Sequence, residues 1–380
     1  MRIALITETF YPATDGICTR LSHMVEQLQM LGHELCVITP DMGLDIYKGV
    51  RVIGMPTIYT PLYASRPWGL PSPRVKKELL SFQPDIIHAV HPTLLGVSGL
   101  HYGKQLGIPI LASYHTHLTD YLTYYKLPFL ENLLWDYTRY CYQKADKVIT
   151  VSQDLADILN SQGIPEAEVW QAGIDFSHRS PEYYDEALYQ KLTHKGQYKH
   201  LLVYVGRLAY EKGIDQLRGI FEHRNDIALA IVGDGPARAE LEQYFAGTPT
   251  QFLGFLEGEA LGQAFAVGDA FIFPSVSETF GLVISEAMAS GTPVIAAESG
   301  PTLEQLTPLE SGLTFQNRNL DSLLQSLRYL DQPDAMQSIQ ANALKRVQGM
   351  TWQAAAKQLE TFYLETIEQT EANHRKSFYA

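Results

Sequence analysis

Apolar residues fall in short runs separated by amphipathic stretches. Residues 2–7 (RIALIT) form an apolar run with the length of a buried strand. Leu21, Met24, Val25 and Leu28 follow at helical spacing, and Gly32 supplies the stop. Residues 34–39, 85–90, 108–113 and 147–151 predict further strands, with helices near 93–106 and 128–145. Ser152 reads as the N-cap of the helix that follows. The pattern lapses between about 174 and 199, which is polar, rich in Tyr and without a core face, so an interdomain linker is expected there. Alternation then restarts: 200–205, 227–232, 270–273 and 293–297 predict strands, and helices are expected near 213, 236, 281, 319 and 335. Residues 352–370 predict a long amphipathic helix. Strands that alternate with helices imply parallel βαβ units. The expected organisation is therefore α/β, with an N-terminal domain at 1–180, a second at 181–350 and a C-terminal helix at 351–380.

The length of 380 residues agrees with two domains. Net charge is −13, which argues against a nucleic-acid partner, because phosphate backbones need clustered Lys and Arg. Cys18, Cys36 and Cys141 are the only cysteines; an odd, sparse set without C-x-x-C spacing gives neither a disulfide framework nor a zinc site. The first residues carry one basic side chain and a short apolar run, which suits a strand better than a signal peptide. No apolar run approaches bilayer-spanning length. A cytoplasmic protein is expected, with peripheral contact at the inner face of a membrane left open.

The strongest local signal is Ser277-Glu278-Thr279-Phe280-Gly281-Leu282, followed by Glu286 and then by Gly291-Thr292-Pro293-Val294. It follows a strand and opens a helix, whose first amides and dipole suit an anion. Gly281 lets a phosphate approach the backbone. Glu278 and Glu286 can accept hydrogen bonds from sugar or ribose hydroxyls; a capped helix with solvated glutamates is the plainer alternative. Arg207 and Lys212 follow the strand LLVYV, where two cations can neutralise a diphosphate without a metal; solvated surface cations are the alternative. Gly233-Asp234-Gly235-Pro236 makes a tight strand-to-helix turn, with Pro236 at the first helical position. Neither a P-loop nor a G-x-G-x-x-G is present, which argues against a P-loop ATPase and an ordinary NAD dehydrogenase. In the first half, Asp15-Gly16 follows the first strand, and Tyr114, His115 and His117 follow the strand IPILA. The two histidines could suggest a metal, yet no third ligand is placed, so none is expected.

On these residues the chain resembles the retaining GT-B glycosyltransferases of family four, the glycogen-synthase-like or group 1 enzymes. The resemblance covers nearly the whole length. It rests on Arg207 with Lys212, on Val232-Gly233-Asp234-Gly235-Pro236, and on the stretch from Glu278 to Glu286. TETFYPATDGICTRL, FQPDIIHAVHP, SYHTHLTDYLTYY and VWQAGID are most similar to the sulfoquinovosyl- and diacylglycerol glucosyltransferases of membrane glycolipid synthesis. The resemblance implies two Rossmann-like domains facing a central cleft. It implies that Arg207 and Lys212 hold the donor diphosphate, with Gly233 nearby, and that the amides of Phe280, Gly281 and Leu282 bind its distal phosphate. Glu286 would bind the ribose, Glu278 the transferred sugar, and His115 the donor sugar near the reacting carbon. Gly16 would close over the phosphates, with Asp15, Tyr114 and His117 on the acceptor side. Two departures stand out. Ala172 replaces an arginine typical of sulfoquinovosyl relatives, and Gly300-Pro301-Thr302-Leu303-Glu304 replaces a Gly-Gly-Ile-Pro-Glu stretch.

The expected chemistry is direct hexose transfer with retention, needing no metal and no cofactor beyond the nucleotide-sugar substrate, UDP-linked by resemblance. Charge that develops on the leaving phosphate would meet Arg207, Lys212 and the helix amides. A lipid acceptor is expected, because Tyr63, Arg66, Trp68, Leu70, Arg74, Lys76 and Lys77 mix apolar, aromatic and basic character suited to an anionic surface. Transfer to a soluble sugar or small metabolite, nucleotide-sugar epimerisation, and non-catalytic nucleotide-sugar binding are the competing readings.

Overall fold

The computed structural model describes residues 1–13, 15–59, 67–116, 128–164 and 166–378. Packing divides the chain into two compact units, Met1–Gly173 with Trp352–Ala380, and Ile174–Thr351.

The first unit is built on an eight-stranded sheet. Its strands are β1 (Arg2–Ile6), β2 (Glu34–Pro40), β3 (Ile46–Tyr47), β4 (Val50–Met55), β7 (Ile86–Val90), β8 (Ile110–Tyr114), β9 (Lys147–Thr150) and β10 (Glu168–Val169), in the order β10-β9-β8-β7-β1-β2-β4-β3. The strands β5 (Thr57–Ile58) and β6 (Trp68–Gly69) pair apart from it. Every pairing in the large sheet is parallel except β3 with β4. Parallel strands are covered on both faces, which is why β1, β7 and β8 read as apolar runs. Chain order reverses on either side of β1, so β1 and β7 flank a switch point at their carboxyl ends. The helix Gly16–Met30 buries Leu21, Met24, Val25 and Leu28, and the chain turns out of it at Gly32. The helix Trp352–Phe378 returns to this unit, placing Trp352, Leu359, Phe362 and Tyr363 in one core with Ile3, Leu21 and Trp170.

The second unit holds a wholly parallel six-stranded sheet: β11 (His200–Val205), β12 (Ile227–Val232), β13 (Thr250–Gly254), β14 (Ala270–Phe273), β15 (Val294–Ala297) and β16 (Leu313–Phe315), in the order β13-β12-β11-β14-β15-β16. Its switch point lies between β11 and β14.

Several expectations are corrected. The linker assigned to 174–199 belongs to the second unit and carries the helix Glu186–Leu192, whose N-cap Asp185 accepts from the Leu188 amide. The chain changes unit at Gly173–Ile174, ahead of the expected 180/181 break, because the Ile174 amide already donates to Met350 O at 2.7 Å. The helix expected near 213 is a 3-10 segment, Ile214–Glu222. Pro236 is not the first helical residue: the helix is Arg238–Tyr244, with Ala237 as its cap. The short or half-exposed strands β10, β13 and β16 lacked a continuous apolar run, and in β4 the run is broken by exposed Arg51 and by Gly54.

Candidate functional site

In the second unit, the residues singled out from sequence leave adjacent strands at the switch point. Arg207 and Lys212 follow β11, and Ser277 to Leu282 follow β14. The two segments are tied together. Lys212 Nζ donates to Glu278 Oε1 at 2.6 Å, Ser275 Oγ donates to the same oxygen at 3.0 Å, and Ser277 Oγ donates to Glu211 O at 3.2 Å. Arg207 pairs with Glu211. Each cation therefore comes with a carboxylate, which simple counting of charges along the chain does not reveal.

Gly281 is in the left-handed region, with φ of 82°, and caps the helix Leu282–Ala289. The Ile284 amide closes the first turn onto Gly281 O at 3.0 Å. A helix start leaves its first N–H groups outside the helical ladder, so the amides around Gly281 suit an anion. Gln305 holds this turn: its Nε2 donates to Phe280 O, and its Oε1 accepts from Ser285 Oγ at 2.6 Å.

Glu286 pairs with Arg179 at 3.0 Å. Burial pushes the Glu286 carboxyl upward, and Arg179 pulls it back toward ionisation. Arg179 is itself buried, donates to His178 O, and lies 5.3 Å from the Phe265 ring centroid. Neither Arg179 nor Gln305 was found from sequence. Each acts across many residues of chain and leaves no local spacing.

Gly233, expected near the diphosphate, has its N–H committed to Gly254 O at 2.8 Å, and a Cβ there would lie 2.0 Å from Gly206 O. It lets the turns after β11 and β12 pack, and its amide is not offered to a ligand.

In the first unit, Asp15 caps its own helix, accepting from the amides of Ile17 and Cys18 and from Thr9 Oγ1 at 2.6 Å. Its carboxylate, expected on the acceptor side, is engaged within the fold. Gly16 is exposed, and a Cβ on it would meet no atom within 4 Å. Tyr114, also expected on the acceptor side, is fully buried against Tyr142 and Trp135, so it is a core residue. His115 is buried, with Nε2 2.9 Å from Ser113 Oγ. Burial, and after it His91, Arg20 and His88, hold its pKa well below the ordinary histidine value. Its ring is neutral at physiological pH. His117 and Tyr63 to Arg66 lie outside the described residues. Of the expected membrane stretch, the helix Pro73–Phe82 turns Val75, Leu79 and Phe82 inward and leaves Arg74 and Lys77 exposed.

Among the described residues one acidic group has metal-like spacing: His200, Asp226 and Asp331 bring ligand atoms within 4.8 Å of one another. Arg224 binds both carboxylates, at 2.7 and 3.1 Å, and Lys199 binds Asp331 at 2.6 Å. The cluster is thus already charge-compensated. It lies at the amino ends of β11 and β12, opposite Arg207.

Residues 14–178 match the family described as Glycosyltransferase Family 4, and residues 186–346 match Glycosyl transferases group 1. The sulfoquinovosyl transferase SQD2 of Arabidopsis thaliana is 32% identical over 364 residues, 93% of this chain and 71% of that protein. A GDP-mannose-dependent alpha-mannosyltransferase of Mycobacterium tuberculosis is 35% identical, covering 82% of this chain and 83% of its own. An alpha-monoglucosyldiacylglycerol synthase of Streptococcus pneumoniae is 28% identical, covering 80% and 73%. Among solved structures, a sucrose-phosphate synthase from Thermosynechococcus elongatus superposes with a TM-score of 0.78 at 22% identity, covering 96% of this chain and 98% of its own.

Proposed function

The chain belongs to glycosyltransferase family 4, with the GT-B fold and a group 1 glycosyl transferase domain, and from this premise we propose that it moves a hexose from a nucleoside-diphosphate sugar to an acceptor hydroxyl, with retention and without a metal ion. The observation that carries the reading is the convergence of Lys212, Glu278 and the Gly281 helix start at one switch point.

Negative charge builds on the departing phosphate as the glycosidic bond breaks. Lys212, Arg207 and the amides of Phe280, Gly281 and Leu282 stabilise that charge in place of a cation. The ammonium of Lys212 carries three donors, so it can keep Glu278 and still reach a phosphate oxygen. Glu278 and Glu286 accept hydroxyls of the sugar and ribose. Gly16, with no side chain and open space around it, gives a phosphate a close approach to the backbone. His115, neutral, contributes a hydrogen bond to the sugar and no proton shuttle. The acceptor hydroxyl gives up its proton to the leaving phosphate.

UDP is the nucleotide of this reading. The relative named as GDP-mannose-dependent supports GDP-mannose as the second candidate. For the acceptor we favour a lipid such as diacylglycerol. One relative is named as an alpha-monoglucosyldiacylglycerol synthase, and Phe129, in the turn before the helix Glu131–Tyr142, is exposed together with Leu133, Tyr137 and Tyr140 on that helix.

Thermal-shift titration against UDP-, GDP- and ADP-sugars, followed by a product assay in chelator with diacylglycerol, tests the reading. A matched donor raises the melting temperature by mass action, and a glycosylated lipid with the donor's anomeric configuration follows. Stabilisation by none of the three, or release of a changed sugar without acceptor, contradicts it.

A further inference from the structure

His115 is the end of a hydrogen-bonded chain that starts on the C-terminal helix. Tyr363 OH lies 2.8 Å from His88 Nδ1, His88 Nε2 lies 2.8 Å from Ser113 Oγ, and Ser113 Oγ lies 2.9 Å from His115 Nε2. All four residues are buried, Tyr363 to 1% exposure and His88 and Ser113 to 0%. We propose that Tyr363, His88 and Ser113 are positioning residues that fix His115 in the tautomer carrying its proton on Nδ1. The functional meaning of that tautomer rests on the reading of His115 as a contact to the donor sugar.

The protons available fix the direction of these hydrogen bonds. Burial pushes the His88 ring down to about 3 and holds His115 well below its ordinary value, so both rings are neutral. A neutral imidazole has one N–H and one lone pair, and the Ser113 hydroxyl has a single proton to share between two rings. Were both rings to donate to Ser113, its own buried proton would have no acceptor among the described residues, which leaves two directions along the chain. In one, Tyr363 donates to His88 Nδ1, His88 Nε2–H donates to Ser113, and Ser113 donates to His115 Nε2. Every proton within the chain then finds an acceptor, and the one left over, on His115 Nδ1, sits on an atom that is not sealed from solvent, so water or a ligand can take it. In the other, each bond is reversed, and the Tyr363 hydroxyl proton has no acceptor among the described residues. A buried donor without a partner is disfavoured, so the first direction prevails.

His115 Nδ1 then carries an N–H. Among the described residues that nitrogen has no partner, and it remains for a ligand. The ring is held in place by edge contacts to Trp170, with centroids 5.9 Å apart, and to His91, at 5.6 Å. Arg20, 4.6 Å from the Trp170 ring centroid, adds a cation that opposes protonation of His115. A substrate hydroxyl meeting this site accepts a hydrogen bond and directs its own proton elsewhere. In the opposite tautomer that preference would invert. The far end of the chain is on Trp352–Phe378, so docking of this helix is coupled to the hydrogen-bonding polarity of His115.

The test is a long-range proton–nitrogen correlation spectrum of the full chain labelled with 15N-histidine, His115 being assigned by its loss in His115→Gln. The wild-type spectrum is expected to show a protonated Nδ1 and a bare Nε2. Tyr363→Phe, which keeps the ring volume, and Ser113→Ala should each move His115 toward the other tautomer while the melting temperature stays near wild type. Turnover should fall by about tenfold or more with donor KM little changed, as expected when an imidazole is held in the wrong tautomer. A wild-type His115 protonated on Nε2, or a tautomer unmoved in Tyr363→Phe, overturns the proposal. A tautomer that moves while turnover holds supports the relay and removes His115 from the donor site, so the two readings fail separately.

Discussion

A methyl group added to Gly16 would meet no atom within 4 Å, one added to Gly281 would make only ordinary contact at 3.5 Å with φ at 82°, and one added to Gly233 would lie 2.0 Å from a carbonyl oxygen. The three glycines thus answer to different demands. Gly233→Ala is expected to cost on the order of 3–5 kcal/mol of stability, because backbone must move. Gly281→Ala should cost about 1–2 kcal/mol through its left-handed backbone alone. Gly16→Ala should leave the melting temperature unchanged and weaken donor binding about tenfold, ~1.4 kcal/mol. Denaturation curves and calorimetric titration of the three variants check the ranking. Glu286 carries a pH prediction. Burial raises its pKa and Arg179 lowers it, so Arg179→Gln lets it rise further. In the proposed role only the ionised form accepts hydroxyls from the donor, and it is lost as pH falls. Donor KM in Arg179→Gln should therefore climb as pH falls, with the rise beginning at a higher pH than in wild type. KM profiles that begin to rise at the same pH in the two proteins would contradict this. At this scale the candidates Arg207, Lys212, Glu278 and Glu286 could be singled out from residue type and from position after a strand or in the helix that follows it. Arg179 was not: it meets Glu286 across 107 residues of chain.

The elements that the apolar pattern shows most plainly are β1, β7, β8, β11, β12 and β14. Their burial on both faces writes a continuous run into the sequence. Edge strands such as β13, with every residue half-exposed, write none. The helix Trp352–Phe378 was legible as amphipathic, since Trp352, Ala355, Ala356, Leu359, Phe362 and Tyr363 recur at helical spacing. These side chains fill the first unit's core, and burying each large one contributes roughly 1.5–3 kcal/mol. Truncation after Thr351 should therefore destabilise Met1–Gly173 and leave Ile174–Thr351 folded. Hydrogen exchange read by mass spectrometry checks this: protection should fall across β1, β7 and β8 and persist across β11 and β12. Uniform loss, or no loss, would contradict the assignment.

At the scale of the whole molecule, two sheets of the same kind each present a switch point, and the chain returns to the first unit through its last helix. The two-unit plan was readable from alternation alone. The precise crossing at Gly173–Ile174 was not, because the polar stretch after it is anchored by contacts with distant residues such as Met350 and Glu286. No described helix is long and apolar enough to cross a membrane. If the acceptor is a lipid, the exposed Phe129, Leu133, Tyr137 and Tyr140 are the side chains that meet the bilayer. Replacing Phe129, Leu133 and Tyr140 by serine should abolish co-sedimentation with anionic vesicles and leave donor binding intact. Unchanged co-sedimentation would place the contact elsewhere.

In the proposed reaction the second unit grips a pyrophosphate with Lys212, Arg207 and the helix start at Gly281. A crystal structure of the full chain with a bound nucleoside diphosphate tests it most directly. Phosphate oxygens are expected within hydrogen-bonding distance of Lys212 Nζ and of the amides at 280–282, with the ribose on Glu286. A nucleotide lodged elsewhere, with Lys212 still committed to Glu278 alone, would contradict it.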